Sequence, residues 1–270
     1  MNDFYPVINE IQTLEEYINN MRFGKVVKSN ILIVNTIHSL GALEQKLLSY
    51  IISKINKFDT EFRTITFELT DYLRVCNMNL DSGKNYRNIK QALVKLSNTK
   101  TWIKFENEEK LDETMFQWIT AFNLKTDKKT NKTMVSISLN PFLQPYLLQL
   151  KGKFTYYELI NILAMRSQYS LRLYEILKSY VFKGEVRYEI EDFKRVLNAE
   201  HYKKFAQIRI RVIEPALDEI NKYTDIQCSY STVKESRMIA AIVFYVNLKE
   251  NAKVIETYQT VIGTLDESEE

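Results

Sequence analysis

The stretch from residue 202 to residue 223 carries polar side chains that are able to hydrogen-bond to base-pair edges. At about 100° per residue, the candidate contact residues share one face near the start of a predicted helix: Lys203, Lys204, Gln207 and Arg211. Apolar residues recur at steps of three and four on the opposite face: Phe205, Ile208, Val212, Ala216 and Ile220. Arginine pairs with guanine edges, glutamine pairs with adenine edges, and lysine holds phosphates. This order of residues is typical of a helix that enters a major groove by its N-terminal end.

Other features of this stretch leave its interpretation open. Lysine and arginine side chains that extend over apolar neighbours also occur on solvated helix faces, and the segment alone does not choose between the two. Arg209 projects towards the apolar side and is kept as a further candidate contact residue. Pro215 lies in the middle of the predicted helix, where the lost backbone hydrogen bond predicts a kink.

Two strand-like segments follow this helix, at residues 226–230 and 239–248. The bridge between them, residues 232–237, carries Lys234 and Arg237 at its tip. A hairpin tip with this charge is expected to reach phosphates or a minor groove.

A second basic helix is predicted at residues 85–96 in the first half of the chain. One stripe of it is apolar: Tyr86, Ile89, Leu93 and Leu96. The other side holds the first-half candidate contact residues: Lys84, Arg87, Gln91 and Lys95. A solvated helix face is again the alternative.

The remaining elements predict the scaffold for both helices. Residues 31–34 are interpreted as a strand, and helices are predicted at 39–55 and 69–75 with a strand at 63–67 between them. Three β-rich segments come after the basic helix, at 101–105, 115–124 and 134–139. Helices followed by a β-hairpin sheet are the order of a winged helix-turn-helix domain.

The second half is predicted to repeat this plan, although the halves are not obviously similar residue by residue. Helices are expected at 154–164 and 170–181, a strand at 186–190, and a short helix at 191–197. We therefore predict an α+β protein with two tandem winged-helix domains. The expected boundaries are an N-terminal segment (1–24), a first domain (25–150), a second domain (151–249) and a disordered acidic tail (250–270).

Charge is spread unevenly along the 270 residues, whose formal net charge is +3. Residues 25–150 carry 18 basic against 12 acidic side chains, and residues 151–249 carry 17 against 12. Two mildly basic bodies between acidic ends are compatible with DNA binding.

Cys76 and Cys228 have no metal-ligand spacing and predict core thiols in a reducing compartment. No apolar run reaches the ~18 residues of a membrane span, and no signal-peptide pattern begins the chain, so we expect a cytoplasmic protein.

Catalytic motifs are missing from the sequence. Neither Gly83-Lys84 nor Gly152-Lys153 has the upstream glycine and following Ser or Thr of a phosphate-binding loop. The two histidines, His38 and His201, lie far apart in sequence and are expected to be core or surface residues rather than metal ligands. We therefore expect a protein that is not an enzyme and needs neither a cofactor nor a metal.

Four segments resemble the plasmid replication initiators that bind iterons, the Rep proteins built of two winged-helix domains. They are residues 27–33 running into 39–47, residues 142–148, residues 167–175, and residues 211–221 with Thr224 and Asp225. The likeness covers about residues 25–248. Ser236 stands where the family pattern often has a glycine before the wing arginine.

This resemblance implies a function. Monomers would bind double-stranded origin DNA at direct repeats, and the second domain would supply most of the base readout. A homodimer, formed largely through the first domain, would repress the initiator's own promoter. A host initiator ATPase and a replicative helicase would be recruited. Two alternatives stay open from the residues: a winged-helix transcription regulator without origin function, and a module that binds protein.

Overall fold

The computed structural model describes residues 13–56, 58–80, 83–106, 109–236 and 238–250. The expected acidic tail lies outside this part of the chain except for its first residue, and so does the N-terminal segment before Thr13. Arg237, the second candidate at the wing tip, also lies outside the described residues.

The first half of the chain alternates helices with antiparallel strands. Its elements are α1 (Leu14–Arg22), β1 (Lys25–Ser29), α2 (Asn30–Asn35), β2 (Thr36–Ile37), α3 (Ala42–Ser53), β3 (Ile65–Glu68), α4 (Leu69–Val75), α5 (Gly83–Asn98), β4 (Thr101–Glu106), β5 (Leu111–Phe116), β6 (Ile119–Thr126), β7 (Thr133–Leu139), a 3₁₀ turn (Pro141–Leu143) and α6 (Gln144–Leu147). The basic helix α5 buries Ile89, Leu93 and Leu96, as the helical period of its apolar residues predicted.

The second half contains a helix that changes its winding along its length. Its elements are β8 (Phe154–Glu158), α7 (Ile160–Leu163), α8 (Gln168–Ser179), β9 (Glu185–Glu189), α9 (Ile190–Val196), α10 (Phe205–Ile208), a π-helical segment (Arg209–Ile213), α11 (Glu214–Tyr223), β10 (Ile226–Glu235) and β11 (Met238–Leu248). We call α10, the π-helical segment and α11 together the recognition segment, residues 205–223.

The two halves have the same sheet order. In the first half β7 lies between β3 and β6, and in the second half β11 lies between β9 and β10, always in antiparallel pairs. In each half the first strand of this sheet leads through a short helix to the basic helix, and the hairpin comes later in the chain; in the first half β4 and β5, which form a separate sheet with β2, lie between α5 and the hairpin. The predicted α+β fold of two tandem winged-helix domains is therefore confirmed.

The strand and short helix of each domain also share a sequence pattern. Residues 68–77 read Glu-Leu-Thr-Asp-Tyr-Leu-Arg-Val-Cys-Asn, and residues 189–198 read Glu-Ile-Glu-Asp-Phe-Lys-Arg-Val-Leu-Asn. Within each copy the Asp and the Arg form an ion pair, Asp71 with Arg74 and Asp192 with Arg195. The expectation that the halves lack obvious residue-level similarity is thus wrong at this unit.

Both copies end their helix with an asparagine in the left-handed region. Asn77 has φ 48° and Asn198 has φ 53°. The next residue then donates its backbone N–H back into the helix, from Met78 to the Leu73 carbonyl at 2.8 Å and from Ala199 to the Lys194 carbonyl at 2.7 Å. Asparagine tolerates this conformation better than residues with larger or branched side chains, which explains its recurrence at the helix end.

The helix predicted at residues 154–164 is wrong for its first half. Residues 154–158 form β8, which pairs with β1 from Lys25 opposite Glu158 to Ser29 opposite Phe154. Thr155 and Tyr157 are buried whereas Phe154 and Tyr156 are exposed, which is the two-residue period of a strand. Tertiary pairing with β1 decides the conformation, and it ties the segment after residue 150 to the start of the first domain.

Three further expectations are corrected. Residues 31–34 lie in helix α2, whose N-terminus is capped by the Ser29 hydroxyl, which accepts from the Leu32 N–H at 3.2 Å. A short apolar run has no period that separates a strand from a buried helix, so the cap and the tertiary contacts decide. The β-rich segment 115–124 is divided between β5 and β6. The bridge 232–237 is mostly strand, because β10 continues to Glu235 and pairs there with Met238.

A buried polar cluster joins β1 to α8. The Lys28 ammonium lies 2.5 Å from Glu175 Oε1, which also accepts from the Tyr157 hydroxyl at 2.5 Å. The Tyr157 hydroxyl is 3.1 Å from the Ser49 hydroxyl on α3. Nearby on α8, the Arg172 guanidinium donates to the carbonyl of Thr36 at 2.6 Å. These groups fix α8 against both β1 and α3, and so position the scaffold beneath the recognition segment.

Candidate nucleic-acid interface

The recognition segment is held by its apolar face. Ile208, Val212, Ile213, Leu217 and Ile220 are buried, and the segment packs against α8 and β10. Burial of these apolar side chains is the main force that holds the helix on its domain. The polar face therefore remains free to contact a partner.

Polar side chains at the C-terminal end of the segment lock its position. Glu219 accepts from the backbone N–H groups of Arg166 and Ser167 ahead of α8, at 2.9 and 3.2 Å. The Asn221 side chain bonds both the N–H and the carbonyl of Cys228 on β10, at 2.7 and 2.9 Å. These contacts give structural roles to residues in the segment that carried the family resemblance.

Asp225 extends this set of contacts to α8. Its carboxylate accepts from the Tyr174 hydroxyl at 2.9 Å and lies 2.5 Å from the Lys178 ammonium. Its backbone N–H donates to the Asn161 side chain at 2.9 Å. Because the partners are distant in sequence, no local pattern could have predicted them.

The predicted polar face of the recognition segment is exposed. Lys203, Lys204, Gln207, Arg209 and Arg211, which we call the second-domain contact surface, are all exposed. The expectation that the two lysines lie on the helix is wrong, because the helix begins at Phe205 and Lys204 is its N-cap with extended backbone. Lys203 Nζ is 3.3 Å from the Glu200 carbonyl, and Arg211 makes no hydrogen bond or ion pair that the structure records among the residues it describes. The Arg211 guanidinium is therefore available for an external acceptor.

Gln207 caps its own helix. Its side-chain oxygen accepts from the backbone N–H of Lys204 at 3.3 Å, and this satisfies a donor at the start of α10. The amide nitrogen remains able to donate, and the oxygen keeps a second lone pair, but the cap holds the side chain against its own helix start. The sequence pattern identified Gln207 as a contact residue and did not reveal this second role.

A wide turn in the middle of the segment changes the geometry expected for Arg209 and Pro215. In the π-helical segment the Glu214 N–H donates to the Arg209 carbonyl, five residues back. This wider hydrogen-bond spacing lies directly before Pro215. Pro215 falls in the first turn of α11, where a missing N–H is tolerated. The predicted long helix is therefore present from Phe205 to Tyr223, and the disruption expected at Pro215 takes the form of this wide turn.

The same wide turn brings Arg209 to the surface. It does not lie on the apolar side, as the straight-helix projection placed it, and its Nε is 3.6 Å from Glu214 Oε1. Ile210 is also exposed, and the sequence reasoning missed it. Its projection on the polar face was available from the helical period.

The wing is a tight hairpin between β10 and β11. Lys234 is exposed next to an irregularity in the pairing between Val233 and Lys234. Ser236 has φ 57°, a left-handed conformation that glycine adopts without strain, and this explains the glycine that the family pattern often has there. Lys234 therefore lies near the hairpin tip, as predicted.

The first domain presents its own basic helix face on α5. Lys84, Arg87, Gln91 and Lys95, which we call the first-domain contact surface, are all exposed. Lys95 Nζ lies 3.4 Å from Glu44 Oε1, so it is already paired. Arg87, Gln91 and Lys95 line a shallow concave surface with neighbours that the sequence reasoning left out: Lys90, Val94, Asn98 and Thr99.

The histidines have surroundings that suit structural roles. Part of the His38 surface is accessible, but burial of its ring and then the charges of Arg172 and Lys28 lower the pKa of His38 well below its usual range. His38 Nδ1 accepts from the Leu40 N–H at 3.3 Å, and the His201 ring lies against Tyr202.

Among the residues that the structure describes, no three His, Cys, Asp or Glu side chains are grouped for a metal ion. No helix within the described ranges is long and apolar enough to cross a bilayer.

The fold and the exposed basic helix of each domain define a twin winged-helix protein. The chain is a member of the replication initiator family, because residues 25–178 match the family model "Initiator Replication protein, WH1" and residues 189–246 match "Initiator Rep protein, WH2". The resemblance that the sequence motifs indicated is confirmed.

Individual relatives are distant in sequence. A replication initiation protein from Escherichia coli is 23% identical over 240 residues, which cover 85% of this chain and 72% of the relative. An uncharacterized 27.6 kDa protein from the same organism is 21% identical over 202 residues, covering 72% of this chain and 82% of the relative. The Pi initiator protein, solved in complex with iteron DNA, superposes with a TM-score of 0.66 at 20% identity, over 85% of this chain and 99% of that one. This last likeness shows a shared fold.

Proposed function

We propose that this protein is a sequence-specific initiator of plasmid replication that binds directly repeated iterons in double-stranded origin DNA. The observation that carries the proposal is the second-domain contact surface. Gln207, Arg209 and Arg211 stand exposed on a helix whose opposite face is buried and whose end is locked to α8 and β10, and the exposed Lys203 and Lys204 lie directly before that helix. A helix held in place by its packing, with the Arg211 guanidinium available to an external acceptor, suits readout of a major groove.

Within this proposal the two domains have different tasks. The second domain, taken as residues 151–249, supplies base contacts through Arg211, Arg209 and Gln207, while Lys203 and Lys204 bind phosphates. Lys234 and Arg237 hold the backbone at the wing. The first domain, taken as residues 25–150, contacts backbone through its contact surface, residues Lys84, Arg87, Gln91 and Lys95. The protein acts as a binding protein without catalysis.

Assembly and recruitment complete the proposal. The protein binds iterons as a monomer, and a homodimer formed through the first domain represses the initiator's own promoter. At the origin it recruits a host initiator ATPase and a replicative helicase in the cytoplasm. The membership of the replication initiator family supports these assignments.

The first experiment measures binding of the full chain to duplex DNA that flanks its gene, by footprinting and by titration at several salt concentrations. Arg211→Ala is expected to cost about 1–3 kcal/mol of specific binding free energy and to relax specificity at one base position. Arg187→Ala, which removes an equal charge from the exposed strand β9, is the matched control and is expected to retain specificity.

Two results would contradict the proposal. If Arg211→Ala leaves both specific and non-specific affinity unchanged, the recognition segment does not read DNA. If the flanking DNA and the gene together cannot maintain a plasmid, while the protein still protects an isolated inverted repeat, the protein is a transcription regulator without origin function.

A further inference from the structure

The recognition segment exposes a large apolar side chain on its polar face. Between Phe205 and Tyr223, a stretch that the structure describes throughout, the large apolar side chains are buried or half-buried apart from Ile210, which is 57% exposed. A single exposed apolar residue is ordinary on a protein surface. Ile210 differs from an ordinary exposed residue because it lies between two exposed arginines on the proposed DNA-contacting face.

The π-helical segment fixes the direction of Ile210. Ile208 precedes it and Val212 and Ile213 follow it, and all of these are buried, so packing on both sides holds the turn in place. Arg209 and Arg211 are its direct neighbours, and both are exposed. Wide turns of this kind occur frequently at functional sites.

The chemistry of the side chain suits an apolar contact at low entropic cost. Isoleucine is branched at Cβ, and in a helix one χ1 rotamer dominates, so little side-chain freedom is lost on contact. In the major groove the apolar group on a base edge is the 5-methyl of thymine, beside the hydrogen-bonding atoms that arginine contacts.

Resting on the DNA binding proposed above, we propose that Ile210 is a specificity-determining residue that reads the 5-methyl group of a thymine. Arg209 and Arg211 bind on either side of it and hold the segment against the base pairs. The apolar contact distinguishes thymine from cytosine, which lacks the methyl group, and from deoxyuridine, which differs from thymidine by that group alone.

The test uses the full chain and a duplex selected by that chain from a random-sequence library. Each thymine of the selected duplex is replaced in turn by deoxyuridine, and the Kd is measured by fluorescence anisotropy. Replacement at one position is expected to weaken wild-type binding about fourfold, the effect of ~0.8 kcal/mol for one buried methyl group. Ile210→Ala is expected to bind the thymine and deoxyuridine duplexes equally at that position. Ile210→Val, which keeps two methyl groups, is expected to retain most of the discrimination.

Leu248→Ala is the matched control, because Leu248 at the end of β11 is also 57% exposed. It is expected to keep the full wild-type response to deoxyuridine. The inference is overturned if wild type tolerates deoxyuridine at every position, or if Ile210→Ala responds as wild type does. If the library yields no selected duplex, the proposed DNA-binding function itself fails, and the inference falls with it.

Discussion

Arg209 and Glu214 face each other across the π-helical segment, with Arg209 Nε 3.6 Å from Glu214 Oε1. In a regular helix, side chains three or four residues apart are neighbours, whereas the wide turn brings together residues five apart. Both side chains are about half exposed, so the pair contributes little to stability. Its consequence is to orient Arg209 and to place a carboxylate among the cations of the second-domain contact surface.

Removal of this carboxylate is expected to tighten binding and to reduce discrimination. Glu214→Gln deletes one negative charge from the DNA-facing surface and releases Arg209 to any nearby phosphate. Affinity for unrelated duplex DNA should rise severalfold at low salt, and the ratio of specific to non-specific affinity should fall. Titrations of a specific and an unrelated duplex over a range of salt concentrations measure both quantities.

Asp218→Asn provides the control for charge alone. Asp218 is exposed one turn further along α11, and no ion pair with Arg209 is recorded for it. This variant should raise non-specific affinity while it leaves the discrimination ratio unchanged. Equal ratios for the two variants would show that Glu214 does not orient Arg209.

The wing lysine is expected to act on all sequences alike. Lys234→Ala removes one phosphate contact, so affinity should fall for specific and unrelated duplexes by the same factor. The slope of log K against log salt should become shallower by about 0.9. Lys183→Ala, an exposed lysine between α8 and β9, is the control, and its salt slope should match wild type. A sequence-dependent loss in Lys234→Ala would instead assign base readout to the wing.

The buried pair of Lys28 and Glu175 is expected to dominate the stability of the joint between β1 and α8. Lys28→Met leaves a buried carboxylate without its main partner, which should lower the free energy of unfolding by about 3–5 kcal/mol. Urea denaturation at pH 7 measures the loss. Lys28→Met combined with Glu175→Leu removes both charges and should recover much of it.

The same pair predicts a pH dependence. Burial acts to raise the pKa of Glu175, but the Lys28 charge, hydrogen bonds from Lys28 and Tyr157, and Arg172 hold it below its usual value. A depressed folded-state pKa contributes stability above the unfolded value of about 4.3, and this contribution is lost as pH falls through the folded pKa. In Lys28→Met, burial should raise the pKa of Glu175. Protonation of Glu175 at low pH then removes the unpaired buried charge that destabilises the variant. The stability gap between the two proteins should narrow between pH 7 and pH 4, and a constant gap would contradict this.

At the two asparagines that end a helix, Asn77 and Asn198, glycine is expected to preserve stability and alanine is expected to reduce it. Asn77→Ala and Asn198→Ala should each lower the free energy of unfolding by about 1 kcal/mol, because alanine is strained at positive φ. Asn77→Gly and Asn198→Gly should stay within about 0.5 kcal/mol of wild type, since glycine adopts this conformation freely. Thermal denaturation of the four variants decides whether backbone conformation or a side-chain contact explains the asparagines.

Much of the fold was predictable from local patterns. The apolar period of α5 and α11, the alternation along the strands and the order of elements led to two winged-helix domains, because each pattern reports the face that a segment buries. The repeated unit at residues 68–77 and 189–198 was also present in the sequence, but it became evident only when both copies were seen in the same place in their domains.

Tertiary contacts decided the features that local patterns left open. Residues 154–158 became a strand because β1 offers them a partner, and the π-helical segment depends on which side chains the core of the second domain accepts. The locking contacts of Glu219 and Asp225 join residues far apart in the chain.

By itself the sequence determined which faces of α5 and of the recognition segment are buried, apart from Arg209, since hydrophobic periodicity is a local property of the chain. The tertiary structure alone decided that Arg209 turns outward to Glu214 and that α8 anchors the recognition segment. These outcomes depend on packing and on hydrogen-bond partners that exist only after the chain has folded.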